Sequence, residues 1–230
     1  MLISIVNSSE KMFPYSSLTK FGWNFAGATE LVITEMEGWP HPTARFSIDH
    51  LPVPNTFRPG FLEELGPDTL CCAVQGHPEI CHVRLTRDAS SGWSASPPHL
   101  YTSLCESIMG VSAASELRTL FASTSDNRVH ALTVAGNGSQ LVELAHGRVE
   151  KAGALLWLPH PGYLLVAGEK DGGTTFLGIP YSAGEHTFAP PVQLCASEML
   201  ASTMCATQPD VVAVWDANRA ALYEMRLQQC

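Results

Sequence analysis

The chain has 230 residues, 45% of them hydrophobic and 15% charged, and its 13 basic against 22 acidic side chains give a formal net charge of −9. That length buries a substantial core and an all-β chain of this size commonly forms one domain, so a single domain over residues 1–230 is expected. The negative balance opposes the counterion release that drives binding to nucleic acid and anionic lipid, and no apolar run approaches the ~18 residues that insert across a bilayer, so neither nucleic acid nor membrane is a favoured partner.

In chain order, the first strand-like run is residues 2–6 (LISIV), whose flank lacks the basic residues and length of a secretory signal. Paired runs follow, each a short apolar segment, a turn and a second segment rich in β-branched or aromatic residues. They are residues 31–34 (LVIT) with 44–48 (ARFSI), 70–74 (LCCAV) with 80–85 (ICHVRL), and 120–123 (LFAS) with 129–134 (VHALTV). Residues 154–158, 163–168 and 174–179 make the clearest unit, three strands divided by Pro159-His160-Pro161-Gly162 and Asp171-Gly172-Gly173. The last pair is 211–215 (VVAVW) with 222–227 (LYEMRL), while 141–144 and 192–195 read as outer, fourth strands. Residues 88–98 and 181–191 are expected as loops.

Counted from Leu31, Leu70, Leu120, Leu164 and Val211, the repeat intervals are 39, 50, 44 and 47 residues, the spacing of propeller blades. The expected fold is therefore all-β, a β-propeller of about five short three- to four-stranded blades. Its ring is closed by the N-terminal strand, or is open, or is completed by a partner.

Residues 154–179 resemble a WD40-type blade in their order of strand, turn and strand. Asp126-Asn127 and Asp171-Gly172 match that family's hairpin turn, and Trp215-Asp216 is the one literal Trp-Asp pair. No repeat carries the Gly-His dipeptide at its usual place. In the register that aligns all five repeats, Trp215-Asp216 ends a middle strand.

Seven cysteines, odd in number and irregularly spaced, fit a reducing compartment, so an intracellular chain, cytoplasmic or nuclear, is expected, with organelle import left open. With Gly76 and His77 at a hairpin tip, Cys72 falls opposite Cys81 and Cys71 opposite His82, which sends the pairs to opposite faces. Only two ligands then share a face where structural zinc takes four, so buried thiols are expected and a metal is not. His41, His77 and His160 each precede proline in a turn. Glu63-Glu64 reads as a solvated face. Nucleophile-elbow, phosphate-loop, zinc-helix and dinucleotide motifs are all absent.

Trp157 and Trp215, in apolar strands, are expected in the core. Trp39 and Trp93 lie in loop-like contexts and, with His41 and His77, are the candidate partner-binding residues. The sequence thus reads as a non-catalytic protein–protein interaction scaffold, a subunit that holds other protein subunits, with no cofactor. A sugar-binding propeller and a channel-centred hydrolase are the alternatives.

Overall fold

The computed structural model describes residues 61–66, 68–73, 75–88, 92–97, 99–136, 140–160 and 162–227, and within residues 1–60 the strands alone. The described residues are all-β, with a single turn of 3-10 helix at Ser115–Leu117. They form five small sheets in chain order, four of them wholly antiparallel.

The first sheet holds β1 (Ser4–Val6), β2 (Met12–Pro14), β3 (Phe21–Asn24), β4 (Glu30–Ile33) and β5 (Ala44–Ser47), with β1 parallel to β3. The second holds β6 (Phe61–Glu64), β7 (Thr69–Ala73), β8 (Ile80–Asp88), β9 (Gly92–Ala95) and β10 (His99–Tyr101), in the order β6-β7-β8-β10, with β9 also paired to β8. The third is a four-strand meander of β11 (Ile108–Ala114), β12 (Thr119–Thr124), β13 (Arg128–Val134) and β14 (Leu141–Arg148). In the fourth, β15 (Ala152–Leu158), β16 (Tyr163–Lys170) and β17 (Gly173–Ser182) are followed by β18 (Thr187–Phe188) and β19 (Val192–Ser197), both paired to β17. The fifth has three strands, β20 (Ala201–Gln208), β21 (Val211–Asp216) and β22 (Ala221–Arg226).

Hairpin turns sit where the residues tolerate a left-handed backbone. Asn127 has φ 66°, Asp171 φ 51° and Gly172 φ 81°, so β12 to β13 and β16 to β17 reverse over three and two residues. The innermost strands pack in succession, β6 on β11, β11 on β15 and β15 on β20, which stacks the sheets face to face like propeller blades. Apolar layers fill the seams. Leu65, Cys71, Ile80, Leu120 and Leu132 lie between the second and third sheets, Phe121, Val129, Trp157, Leu164 and Tyr181 between the third and fourth, and Leu165, Phe176, Val212 and Val214 between the fourth and fifth.

Each paired run expected from the sequence is an antiparallel pair here, and β14 and β19 are the expected fourth strands. Several details differ. The stretches 88–98 and 181–191 are not plain loops, since they carry β9 and β18. The inner strand β20 (ASTMCATQ) has small and polar residues and no apolar alternation to announce it. β1 pairs with β2 and β3 in its own sheet, so it does not complete the last one. Trp215 is not core. It is the second-last residue of β21, a middle strand as the aligned register required, but on the face turned away from the fourth sheet, and is 39% exposed.

Candidate functional site

Of the four residues the sequence nominated, Trp39 and His41 lie outside the described residues. His77 is half-buried in the turn between β7 and β8, where its carbonyl accepts from Ile108 N at 2.9 Å and Gly76 N donates to Ile108 O at 2.9 Å. Those bonds tie the turn to the innermost strand of the next sheet. Trp93 is in β9, opposite Arg87 at the far end of β8. At about 3.3 Å per residue the two positions stand roughly 23 Å apart along the strand, so the structure does not bring them together.

The structure does assemble a polar seam between the second and third sheets. Register places Glu63 opposite Cys71, Cys71 opposite His82 and His82 opposite His99, so these four side chains form one row on one sheet face. The pairings Cys71 with His82 and Cys72 with Cys81 are those expected from the sequence. Cys71 and Cys81 are buried free thiols, and the His82 and His99 rings stack with centroids 5.1 Å apart.

A Glu-Cys-His row has the residue types of a thiol nucleophile with its base, but Cys71 is buried at 1% exposure. Burial, then the neighbouring Cys81 and Glu63, push the Cys71 thiol up, away from the thiolate a nucleophile needs. Glu63 is no solvated face, contrary to the expectation from the sequence. Its carboxyl lies deep among protein atoms, although the residue keeps some accessible surface, and Ala113 N donates to its Oε2 at 3.1 Å. Burial raises its pKa to about 7 and the Ala113 bond only partly offsets this. The period-2 pattern of β6 carried that signal, because Glu63 alternates with Phe61 and Leu65, both packed in this core.

From the third sheet, a second polar group joins the core layer. His130 is 5% exposed, with Nδ1 2.7 Å from Glu143 Oε1 and Nε2 3.1 Å from Thr124 Oγ1. Thr124 Oγ1 also donates to Asp126 Oδ1 at 2.6 Å, and His146 Nδ1 reaches Glu143 Oε1 at 3.3 Å. This relay anchors the β12–β13 turn, the turn that resembles the WD40 pattern. Across the seam, Tyr101 has its phenol pKa raised by burial first and then by the Glu143 charge, which a bond with Ser103 opposes.

Asp216, the acid of the Trp-Asp pair, is fully buried and accepts from Leu200 N at 3.2 Å, Asn218 N at 3.0 Å and Arg219 N at 3.4 Å. It closes the β21–β22 turn and fastens it to the start of β20. Its neighbour Trp215 stands opposite Leu222, which is 65% exposed, so the fifth sheet presents an apolar cross-strand pair on its open face.

Two cavities lie away from the seam. One, of about 420 Å³, is lined by polar groups of the β16–β17 turn and β19, among them Lys170, Asp171, Thr174, Ser197 and Glu198. The other, of about 250 Å³, lies between the third and fourth sheets under Phe188, Pro190 and Pro191, with Arg148 at its edge. Among the described residues no three His, Cys, Asp or Glu side chains are placed to hold a metal ion. Nor is any helix among them long and apolar enough to cross a membrane.

No protein-family model matches the chain, and no curated protein matches it in sequence. Its similarity to solved structures is one of fold. A Lactobacillus plantarum protein superposes with TM-score 0.55 at 12% identity, over 97% of this chain and 69% of its own. A Bacteroides fragilis protein provisionally assigned as a 6-phosphogluconolactonase superposes with TM-score 0.54 at 11% identity, over 88% of this chain and 65% of its own. A chain of the mitotic checkpoint complex does so with TM-score 0.50 at 12% identity, over 88% of this chain and 69% of its own. This chain thus spans about two thirds of the length of those structures, and what it shares with them is a β-propeller-like fold.

Proposed function

We propose that this chain is a non-catalytic propeller-like module that holds protein partners on its fifth sheet, as one subunit of an assembly. The observation that carries this reading is the apolar pair Trp215 and Leu222, opposite each other and 39% and 65% exposed on a face that the fourth sheet does not cover. Tryptophan on an open, flat sheet face is a favoured anchor in protein interfaces, because it buries a large rigid surface at small entropic cost. The buried thiol row of the seam supports a structural role there, since Cys71 is held as the neutral thiol. The mitotic checkpoint complex, an assembly by name, includes a chain of similar fold.

The test is recovery of the tagged full-length chain from its own cells, followed by mass spectrometry of what accompanies it. Leu222→Asp is expected to reduce the accompanying subunits at least tenfold. Val142→Asp, at a residue 38% exposed on the third sheet, leaves them unchanged. Equal recovery with both variants defeats the reading.

A second reading, a small-ligand module, rests on the cavity of about 420 Å³ with its polar lining. The provisional lactonase assignment of one structure of similar fold points the same way. A glycan and sugar-phosphate array with no binding removes it.

A further inference from the structure

Among the described residues the fifth sheet has three strands where its neighbours have at least four. Among the described residues the second, third and fourth sheets each run to a fourth strand, β10, β14 and β19, and the fifth stops at β22. The β22 backbone shows which groups this leaves at the edge. Leu227 N donates to Asp210 O at 2.7 Å, one step beyond the register pair Val211 and Arg226. In an antiparallel ladder the bonded positions alternate, so Tyr223 and Met225 point their N–H and C=O groups inward to β21. Those of Leu222, Glu224 and Arg226 point outward.

The side chains around this edge show the same gap. An added Cβ on Gly178 would meet the Leu194 side chain at 3.4 Å, and Gly178 shares its side of β17 with Phe176, a core residue of the fourth and fifth sheets. Leu194 therefore lies on the side facing the fifth sheet, as does Val192, the register partner of Gly178. Cys195 Sγ is 3.9 Å from Met225 Sδ, so β19 runs just past β22. Val192 and Leu194 are nevertheless 57% and 45% exposed. On the third sheet the corresponding fourth strand is covered in part: Leu144 and Ala145 pack on the core and Phe188 lies against Gly147, while Val142, the register counterpart of Val192, is 38% exposed. The covered part of β14 lies against β18 of the following sheet, and the fifth sheet places no such strand over Val192 and Leu194 among the described residues.

Resting on the partner-holding reading, we infer that the outer edge of β22 receives an extended segment of a partner protein as a fourth, antiparallel strand. Backbone groups of Leu222, Glu224 and Arg226 bond it. Its residues opposite Tyr223 and Met225 are apolar and close over Val192 and Leu194. Its residue opposite Glu224 is basic and its residue opposite Arg226 acidic, because cross-strand neighbours on the open face pair by charge. β1 does not supply it, since both of its edges are taken, by β2 and by β3.

The probe is the capped peptide Thr-Glu-Val-Lys-Val-Thr, whose valines fall opposite Met225 and Tyr223 and whose Glu and Lys fall opposite Arg226 and Glu224. The control peptide exchanges its Glu and Lys. With the full chain and saturating probe, amide exchange at Leu222, Glu224 and Arg226 should slow at least tenfold, while Tyr223 and Met225, already bonded inward, stay unchanged. Glu224→Pro deletes an outward N–H and should abolish binding. Should that variant fail to fold, Arg226→Glu takes its place and is expected to reverse the preference between the two peptides. Absent protection at the three amides, or binding indifferent to both variants, overturns edge pairing. If Leu222→Asp still strips the natural partners in that case, the edge proposal has failed while the module reading stands. If it strips none, the module reading has failed as well.

Discussion

The seam between the third and fourth sheets and the open side of the fifth sheet are made from the same kind of strand and end in opposite states. In the seam, Phe121 stacks on Trp157 at 5.3 Å and meets Tyr181 edge-on at 5.1 Å, and Trp157 Nε1 donates to Glu116 Oε1 at 2.5 Å. On the fifth sheet, Trp215 and Leu222 stand opposite each other on the face turned away from the fourth sheet and are exposed. Alternation selects a face, and a neighbouring sheet decides whether that face is buried. Trp157 finds apolar surface and a hydrogen-bond acceptor because β11 and β12 lie against β15. Trp215 has the fourth sheet behind it and is 39% exposed, although Val211 and Ala213 on its own face are buried.

Three substitutions test this contrast. The largest effect is expected from Phe121→Ala, which empties a fully buried site in the seam and should cost about 3–5 kcal/mol in denaturant unfolding. A loss below ~1 kcal/mol would mean that the seam is loosely packed and the contrast unreal.

Next comes Glu63→Gln. A carboxyl whose folded pKa is raised to about 7 binds more protons folded than unfolded between roughly pH 4.5 and 7, so stability falls as pH rises through that window. The amide keeps an acceptor for Ala113 N and removes the buried charge. The variant should therefore be more stable than the parent by about 3 kcal/mol at pH 8 and nearly equal to it at pH 5, as read from thermal melts. A variant less stable at pH 8 would show that the charge is compensated by a partner. The smallest effect belongs to Leu222→Ser, within about 0.5 kcal/mol of the parent, because its side chain is already in water. A larger loss would place hidden packing on the open face.

Much of the sheet pattern was legible because strand and turn chemistry is local. The run 163–168 between a Pro-Gly turn and Asp171-Gly172 declares a strand by its own residues, and β16 lies there. β20 was not legible, since an inner strand of small and polar residues is held by its register with β21 and by Met204 against the fourth sheet, not by its own preferences. The candidate site was legible in halves. Residue counting across one hairpin put Cys71 opposite His82, but Glu63 entered the row only through pairing of β6 with β7, and Glu143 met His130 only through β14, whose register shifts by a bulge.

The amino-acid sequence by itself determined the all-β character, the blade-length repeat, the hairpin turns and the pairing of neighbouring runs, because these depend on side-chain alternation and on residues that accept a left-handed backbone. Only the tertiary structure decided which faces are covered. Burial of Glu63, exposure of Trp215 and the unfilled edge of β22 depend on what lies one sheet away, and contacts between sheets join residues whose separation along the chain carries no local signal.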